Sequence, residues 1–185
     1  TMKTTSGLSL TGRIDKQVHD ASVLENTFDD WSHKSKKEKL HLARQVAPVS
    51  EETVYNVTTE RLHQYFVDNL DPDNTNIEAN LTAAWIGLGT GGTPVSKTDT
   101  DLNNRIYAEQ VTDHADNGTE LLSSTFLDST EGNGNDFDEL GLFTGNPSNL
   151  ANPEVFLMNH VTFSPVTKDN TKTVTFDVTL SFDDI

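Results

Sequence analysis

The sequence predicts a mainly β domain, a β-sandwich or jelly-roll-like fold with one main α-helix and an N-terminal extended arm. Three observations carry that expectation. Near the end of the chain, "KTVTFDVTLSFDD" sets Val174, Phe176, Val178, Leu180 and Phe182 against Thr175, Asp177, Thr179 and Ser181. Strict period two is the mark of a strand with one buried and one wet face. Upstream, "AAWIGLG", "ELLSSTFLDS" and "DELGLF" are short apolar pieces between polar, glycine-bearing loops. Only "SEETVYNVTTERLHQYFVDNLDPDN" keeps helical spacing at length, through Val54, Val57, Leu62, Tyr65, Phe66 and Leu70. Ser50 or Thr58 is its expected cap, and Pro72 forbids its continuation.

Residues 1–48 read as the arm and 49–185 as a single β-rich domain holding the packing helix near 50–70. The arm holds one candidate short strand, "GLSLTGRI", has few other large apolar residues and gathers Lys34, Lys36, Lys37, Lys39 and Arg44, five of the 13 basic residues. Such a cluster is either a solvated surface or a basic arm docking on an acidic neighbour. On the second reading Trp31, Leu40 and Leu42 add apolar contact, and all eight residues are subunit-contact candidates. "TDTDLNNRIYAEQV" is ambiguous between a helix capped by Asp99 and a strand. "EVFLMNHVTFSPV", the turn "TKDNTK" and the terminal strand read as a hairpin.

Charge narrows the function. Acidic residues number 29 against 13 basic, a formal charge of −16, and cysteine is absent. An excess of anions opposes binding to nucleic-acid phosphates. It suits a protein kept soluble in very salty water, so a halophilic source is expected, with an acidic calcium-binding protein as the rival. Without cysteine there is no disulfide framework and no thiolate chemistry. No apolar run reaches the roughly 20 residues of a membrane span, and the first residues lack a signal-peptide core. Asn56, Asn80 and Asn117 match the glycosylation triplet, which arises readily by chance in a chain rich in Thr and Asn.

"WIGLGTGG" has the G-x-G-x-x-G spacing of a dinucleotide loop at Gly87, Gly89 and Gly92. That chemistry needs a helix opening at the glycines, whereas Pro94 follows and no βαβ unit is evident. The glycines are instead expected to permit a sharp turn out of a buried strand. "DPDNTNIEANLT" lacks the glycine and the final carboxylate of a calcium loop, ending on Thr82. The acidic run Glu131 to Glu139 reads first as a solvated loop and second as a cation site. The histidines are scattered, and neither a nucleophile elbow nor a distinctive carboxylate pair stands out. No catalytic, cofactor-binding or metal-binding residue is nominated.

"WIGLGTGGTPVSKTDTDLNNRI", "NDFDELGLF" and the closing "LMNHVTFSPVTKDNTKTVTFDVTLSF" together resemble minor structural proteins of tailed viruses. Those share approximately "I-G-x-G-x-T-x-P-x-x-x-D-T-x-L", then "I-x-E-x-G-L-F", then two strands. Gly87, Gly89, Thr93, Pro94, Asp99, Leu102, Glu139, Gly141 and Leu142 carry the likeness. Thr100–Asp101 is inserted in the second half of the first pattern, and Asn104–Arg105 replaces an acidic–basic pair. The resemblance covers about residues 80–185. It implies a β-rich virion protein in a tail, baseplate, fibre-attachment or head-decoration position, with no catalytic set or cofactor. Its expected partners are further copies of itself, other virion proteins and a host surface receptor. Acidity adds that the virus infects a halophilic archaeon. The alternative is a receptor- or glycan-binding module using Trp31, Trp85 and Tyr107, and an enzyme has least support.

Overall fold

The computed structural model describes residues 8–70, 81–91 and 93–184. Among them lie nine strands: β1 (Leu8–Asp20), β2 (Ser50–Thr58), β3 (Trp85–Gly89), β4 (Arg105–Gln110), β5 (Asp113–Asp116), β6 (Glu120–Leu127), β7 (Asn135–Phe143), β8 (Leu157–Lys168) and β9 (Lys172–Asp184). Three α-helices accompany them, α1 (Ala21–Thr27), α2 (Lys36–Ala43) and α3 (Glu60–Leu70). The strands are antiparallel and form one series, β4-β3-β7-β8-β2-β1-β9-β6-β5, curled into a half-barrel. The mainly β expectation is met. The separation into two facing sheets of a sandwich or jelly roll is not seen as such.

Two bends produce the curl. β2 pairs with β1 through Ser50 to Asn56, then passes to β8 for only Val57 and Thr58. The two ends of the series, β4 and β5, are separated only by Val111 and Thr112. Val111 N–H donates to Ala84 on the β3 side (2.9 Å), and Thr112 N–H donates to Ser124 on β6 (2.7 Å). One stretch of chain therefore serves both ends by changing partner at a bend, as strands do at the corners of packed sheets.

Inside the curl, Ile14, Val18, Val174, Phe176 and Val178 from one half meet Ile86, Leu88, Phe137, Leu140 and Val161 from the other. Leu62 of α3 joins this core. The last two strands correct the hairpin expectation. β8 and β9 are joined by a short turn, yet β2 and β1 lie between them in the series. They form an arch whose strands meet through side chains, with the Phe163 and Phe176 ring centroids 5.7 Å apart. Where β2 leaves β8, Lys16 Nζ spans the gap to Glu52 Oε2 (2.7 Å) and the Ser164 carbonyl (2.6 Å).

Residues 8–48 do not form an arm. β1 pairs along its whole length with β9 and with most of β2, placing it in the middle of the series. Its pattern was masked because Gly12 and Lys16 occupy inward-facing positions. The expected helix from Ser50 is also corrected: 50–58 is strand β2, and only 60–70 is helical. Thr59, one residue after the expected cap, accepts from Leu62 N–H through its hydroxyl (3.3 Å).

Residues 21–49 form a helical insert that folds back on the outer face of the sheet. Asp20 caps α1, accepting from Ser22 N–H (2.9 Å), and Ser35 with Glu38 forms a capping box at α2. Beneath the insert, Leu24, Trp31, Leu40 and Ala43 bury themselves against Phe126 of β6. This second core explains why Thr175, expected on the wet face of β9, is fully buried, as is Thr173 beside it.

Candidate functional site

The residues carrying the sequence pattern converge beneath the glycine loop. β3 lies between β4 and β7, setting Gly87 opposite Gly141 and Gly89 opposite Glu139. From the neighbouring β8, His160 reaches in. Its Nε2 lies 3.0 Å from Glu139 Oε2 and its Nδ1 lies 2.7 Å from Asp99 Oδ2. The side chains of His160 and Glu139 are both 0 % exposed. Glu139 also accepts from the backbone N–H groups of Asn103 (3.0 Å) and Asn104 (2.8 Å), and Asp99 from that of Ser96 (2.8 Å). Asp138 beside it accepts from Gly91 N–H (2.6 Å).

The glycines are explained by this carboxylate. A Cβ on Gly89 would stand 2.4 Å from the Asn104 carbonyl oxygen and 2.5 Å from Glu139 Oε1. On Gly91 it would come still closer to Glu139 Oε2. The backbone must approach the buried carboxylate, and only glycine leaves the room. Leu102 completes the arrangement by packing with Phe143 and Leu157, filling the space that a side chain at Gly141 would need. The departures from the shared pattern are local: Asp101 receives Arg105 Nε (2.9 Å), and Arg105 also donates to the Pro147 carbonyl (2.9 Å).

Chemically this is a fastening. Both ring nitrogens of His160 face carboxylate oxygens, which only accept when ionised. The ring is thus tied to a carboxylate on each side. Asp99 is the member of the trio that reaches solvent, its side chain 22 % exposed. A groove of about 400 Å³ borders Asp99, floored by Leu150, Val155, Phe156 and Leu157, with the Arg61 guanidinium 5.2 Å from the Phe156 ring centroid. Among the described residues no three His, Cys, Asp or Glu are grouped as metal ligands. Glu131 is instead paired with Lys36 and Glu139 with His160, so the acidic run is no common cation loop. Most of the failed calcium-loop segment lies outside the described residues.

The subunit-contact candidates are used within the chain. Lys36 bridges Glu109 and Glu131 (both 2.9 Å), Lys37 meets Asp113 (2.6 Å), Lys39 meets Asp128, and Arg44 meets Asp177 (2.6 Å) and Ser124 (2.7 Å). Trp31 and Leu40 are buried and Leu42 half-buried in the insert's own core, while Lys34 lies half-buried beside it. A basic segment does dock on an acidic surface, but the surface belongs to the same chain.

The aromatic residues expected for glycan binding are likewise engaged. Trp31 contacts the Phe28 and Phe126 rings, Trp85 packs against the Leu102 cluster, and Tyr107 Oη donates to Glu109 (2.8 Å). Burial first, and Glu109 second, raise the Tyr107 hydroxyl above the usual phenol range. Of the glycosylation triplets, Asn56 is folded against Gly12, Asn117 caps its own turn by accepting from Glu120 N–H (2.9 Å), and Asn80 lies outside the described residues.

Sequence reasoning missed His160, which looked like one of several scattered histidines. A signal existed: it sits in the third segment of the shared pattern, whose other members surround it. No family model, no curated protein and no solved structure matches this chain. The fold and this node therefore define only a class, a mainly β antiparallel domain with a buried ionic fastening.

Proposed function

We propose that the chain is a structural protein on the exterior of a tailed virus particle of a halophilic archaeon, acting in a tail, baseplate, fibre-attachment or head-decoration position. One observation supports this most. Residues from separate segments of the virion-like pattern meet in a single node in which each member is engaged by another, with His160 and Glu139 sealed from water. A pattern retained for architecture has that form, whereas a catalytic pattern would open on a cleft with a free nucleophile or base. Its finer architecture is sandwich-like in this reading, with β2 and the β4–β5 stretch as the corner strands. Partners are further copies of the chain and other virion proteins, met through surfaces other than the engaged helical insert. The glycan-binding alternative falls behind because Trp31, Trp85 and Tyr107 are already occupied.

The test is protein mass analysis and antibody labelling of purified tailed particles from the source culture. Stoichiometric presence with labelling at one fixed position on the particle is the expected result. Absence from particles, with the protein recovered only in the particle-free fraction, overturns the reading.

A further inference from the structure

We propose that residues 21–49 are an acid-responsive lid on the outer face of the sheet, with His19 as the catch that holds it shut. The proposal stands apart from the virion reading. His19 is the penultimate residue of β1 and is 1 % exposed. Its Nε2 donates to the carbonyl of Val46, on the segment returning from α2 to β2, at 3.1 Å. Its Nδ1 has no hydrogen-bond partner. The same is true of the buried hydroxyls of Thr173, its partner across the β1–β9 ladder, and of Thr175. The catch is thus a neutral imidazole with one nitrogen bound to the lid and the other facing a place that offers it no acceptor.

A second proton would add a charge and a donor at that unsupported nitrogen, and burying an unpaired charge is costly. Charged side chains on the surrounding elements do not compensate. On β1, Asp15 is taken by Arg13 and Thr53, and Asp20 by Ser22; on β9, Lys172 lies toward Asp169 and Asp177 is taken by Arg44 from the end of α2. Burial accordingly holds the His19 ring below the ordinary histidine value of 6.5, against a weaker pull from the Val46 bond. The shut lid binds fewer protons at His19 than the open one, so acid favours opening. The insert's other histidine beside a carboxylate, His41, lies 3.0 Å from Asp113 at the insert's exposed edge. Opening uncovers Trp31, Leu40 and Phe126 together with Asp113, Asp128 and Asp177, a surface both apolar and acidic.

Amide hydrogen exchange, corrected for intrinsic rates and run at constant molar salt, reads the opening directly. Between about pH 7.5 and pH 5.0 the opening constant of residues 21–49 should rise by more than about threefold, with a ceiling near 30-fold from one histidine left uncharged in the shut state. Amides of the β1–β9 ladder should not follow. His19→Gln retains a donor for the Val46 carbonyl without a titrating group, and should abolish the step. In case that variant does not fold, the His19 Cε1–H resonance of the unsubstituted protein supplies a second reading: its titration midpoint should lie below the ordinary value of 6.5, where the rise in opening levels off. A rise smaller than about threefold, a step that survives in His19→Gln, or a His19 midpoint at or above 6.5 each overturns the proposal.

Discussion

The molecule fastens itself with the same chemistry in two places, on opposite terms. Beneath the glycine loop, Asp99, His160 and Glu139 are tied among backbone amides, with His160 and Glu139 sealed from water. Across the outer face, α2 and the residue that follows it tie Lys36, Lys37, Lys39 and Arg44 to carboxylates on β4, β5, β9 and the loop after β6, mostly at the solvent boundary. Charges in the first place cannot recover hydration if a partner is lost. Those in the second recover it at once. An ionic contact's weight is therefore set by what surrounds it, and a contact count would rank these regions in the wrong order.

The sharpest way to break the comparison is Glu139→Ala. It leaves a buried histidine facing one carboxylate and removes the acceptor for two backbone N–H groups, so stability should fall by about 3–5 kcal/mol in denaturant titration. A loss below about 1 kcal/mol would place the node among the surface contacts. Gly89→Ala should follow at about 1–3 kcal/mol, because its Cβ forces the loop away from the carboxylate. Combining the two should cost less than their sum, since the shortened side chain at 139 removes one of the clashes.

Salt sharpens the contrast further. The Debye length shrinks from about 10 Å at 0.1 M to about 3 Å at 1 M. With a net charge of −16, screening relieves carboxylate repulsion throughout the chain, so the unfolding midpoint should rise toward molar salt. The Glu139→Ala deficit should stay constant over that range. A midpoint that is flat or falling removes the argument for a brine-adapted surface. The smallest effect belongs to Lys37 and Asp113: a double-mutant cycle should give about 0–1 kcal/mol, fading with salt. Lys37 donates to Asp113, holding its carboxyl below the usual range against some desolvation. That contribution is present above the ordinary Asp value of 3.8 and disappears as pH falls through the lower folded value.

What was legible in the sequence follows the same division. β9 and β7 declared themselves because their inward residues are uniformly apolar. Gly89, Asp99 and Glu139 stood out by residue type and spacing, but that they meet around His160 was not legible, because the partner comes from a separate strand. Of β1 only the opening "GLSLTGRI" read as a strand, because Gly12 and Lys16 interrupt its inward row. Gly12 is required because a Cβ there would collide with the Asn56 side chain, and Lys16 because β2 departs from β8 at that level. β2 was read as helix because Glu51 and Glu52 imitate an acidic first turn, although the β-branched and aromatic content of "TVYNVT" favoured a strand. The arch of β8 and β9 could not be told from a hairpin, because a short turn between alternating strands fits both. Partner choice at the basic cluster was likewise undetermined, since charge specifies complementarity and not which chain supplies it.

The pairing of β1 with β9 has a consequence for how the chain reaches this state. A strand near the start of the chain waits for the last one to be made, with only β2 available to it beforehand. On a ribosome, β1 and β2 emerge early as a ribbon with an open edge and an inward row they cannot yet bury. Closure depends on contacts between residues almost the whole sequence apart, which makes folding slow, on the scale of milliseconds to seconds. The carboxylates that the helical insert's cations meet all follow β2 in sequence, so the insert's ion pairs also form late. Until β9 arrives, the open edge of β1 depends on its own charged residues, Arg13, Asp15 and Lys16, to keep from pairing with another chain.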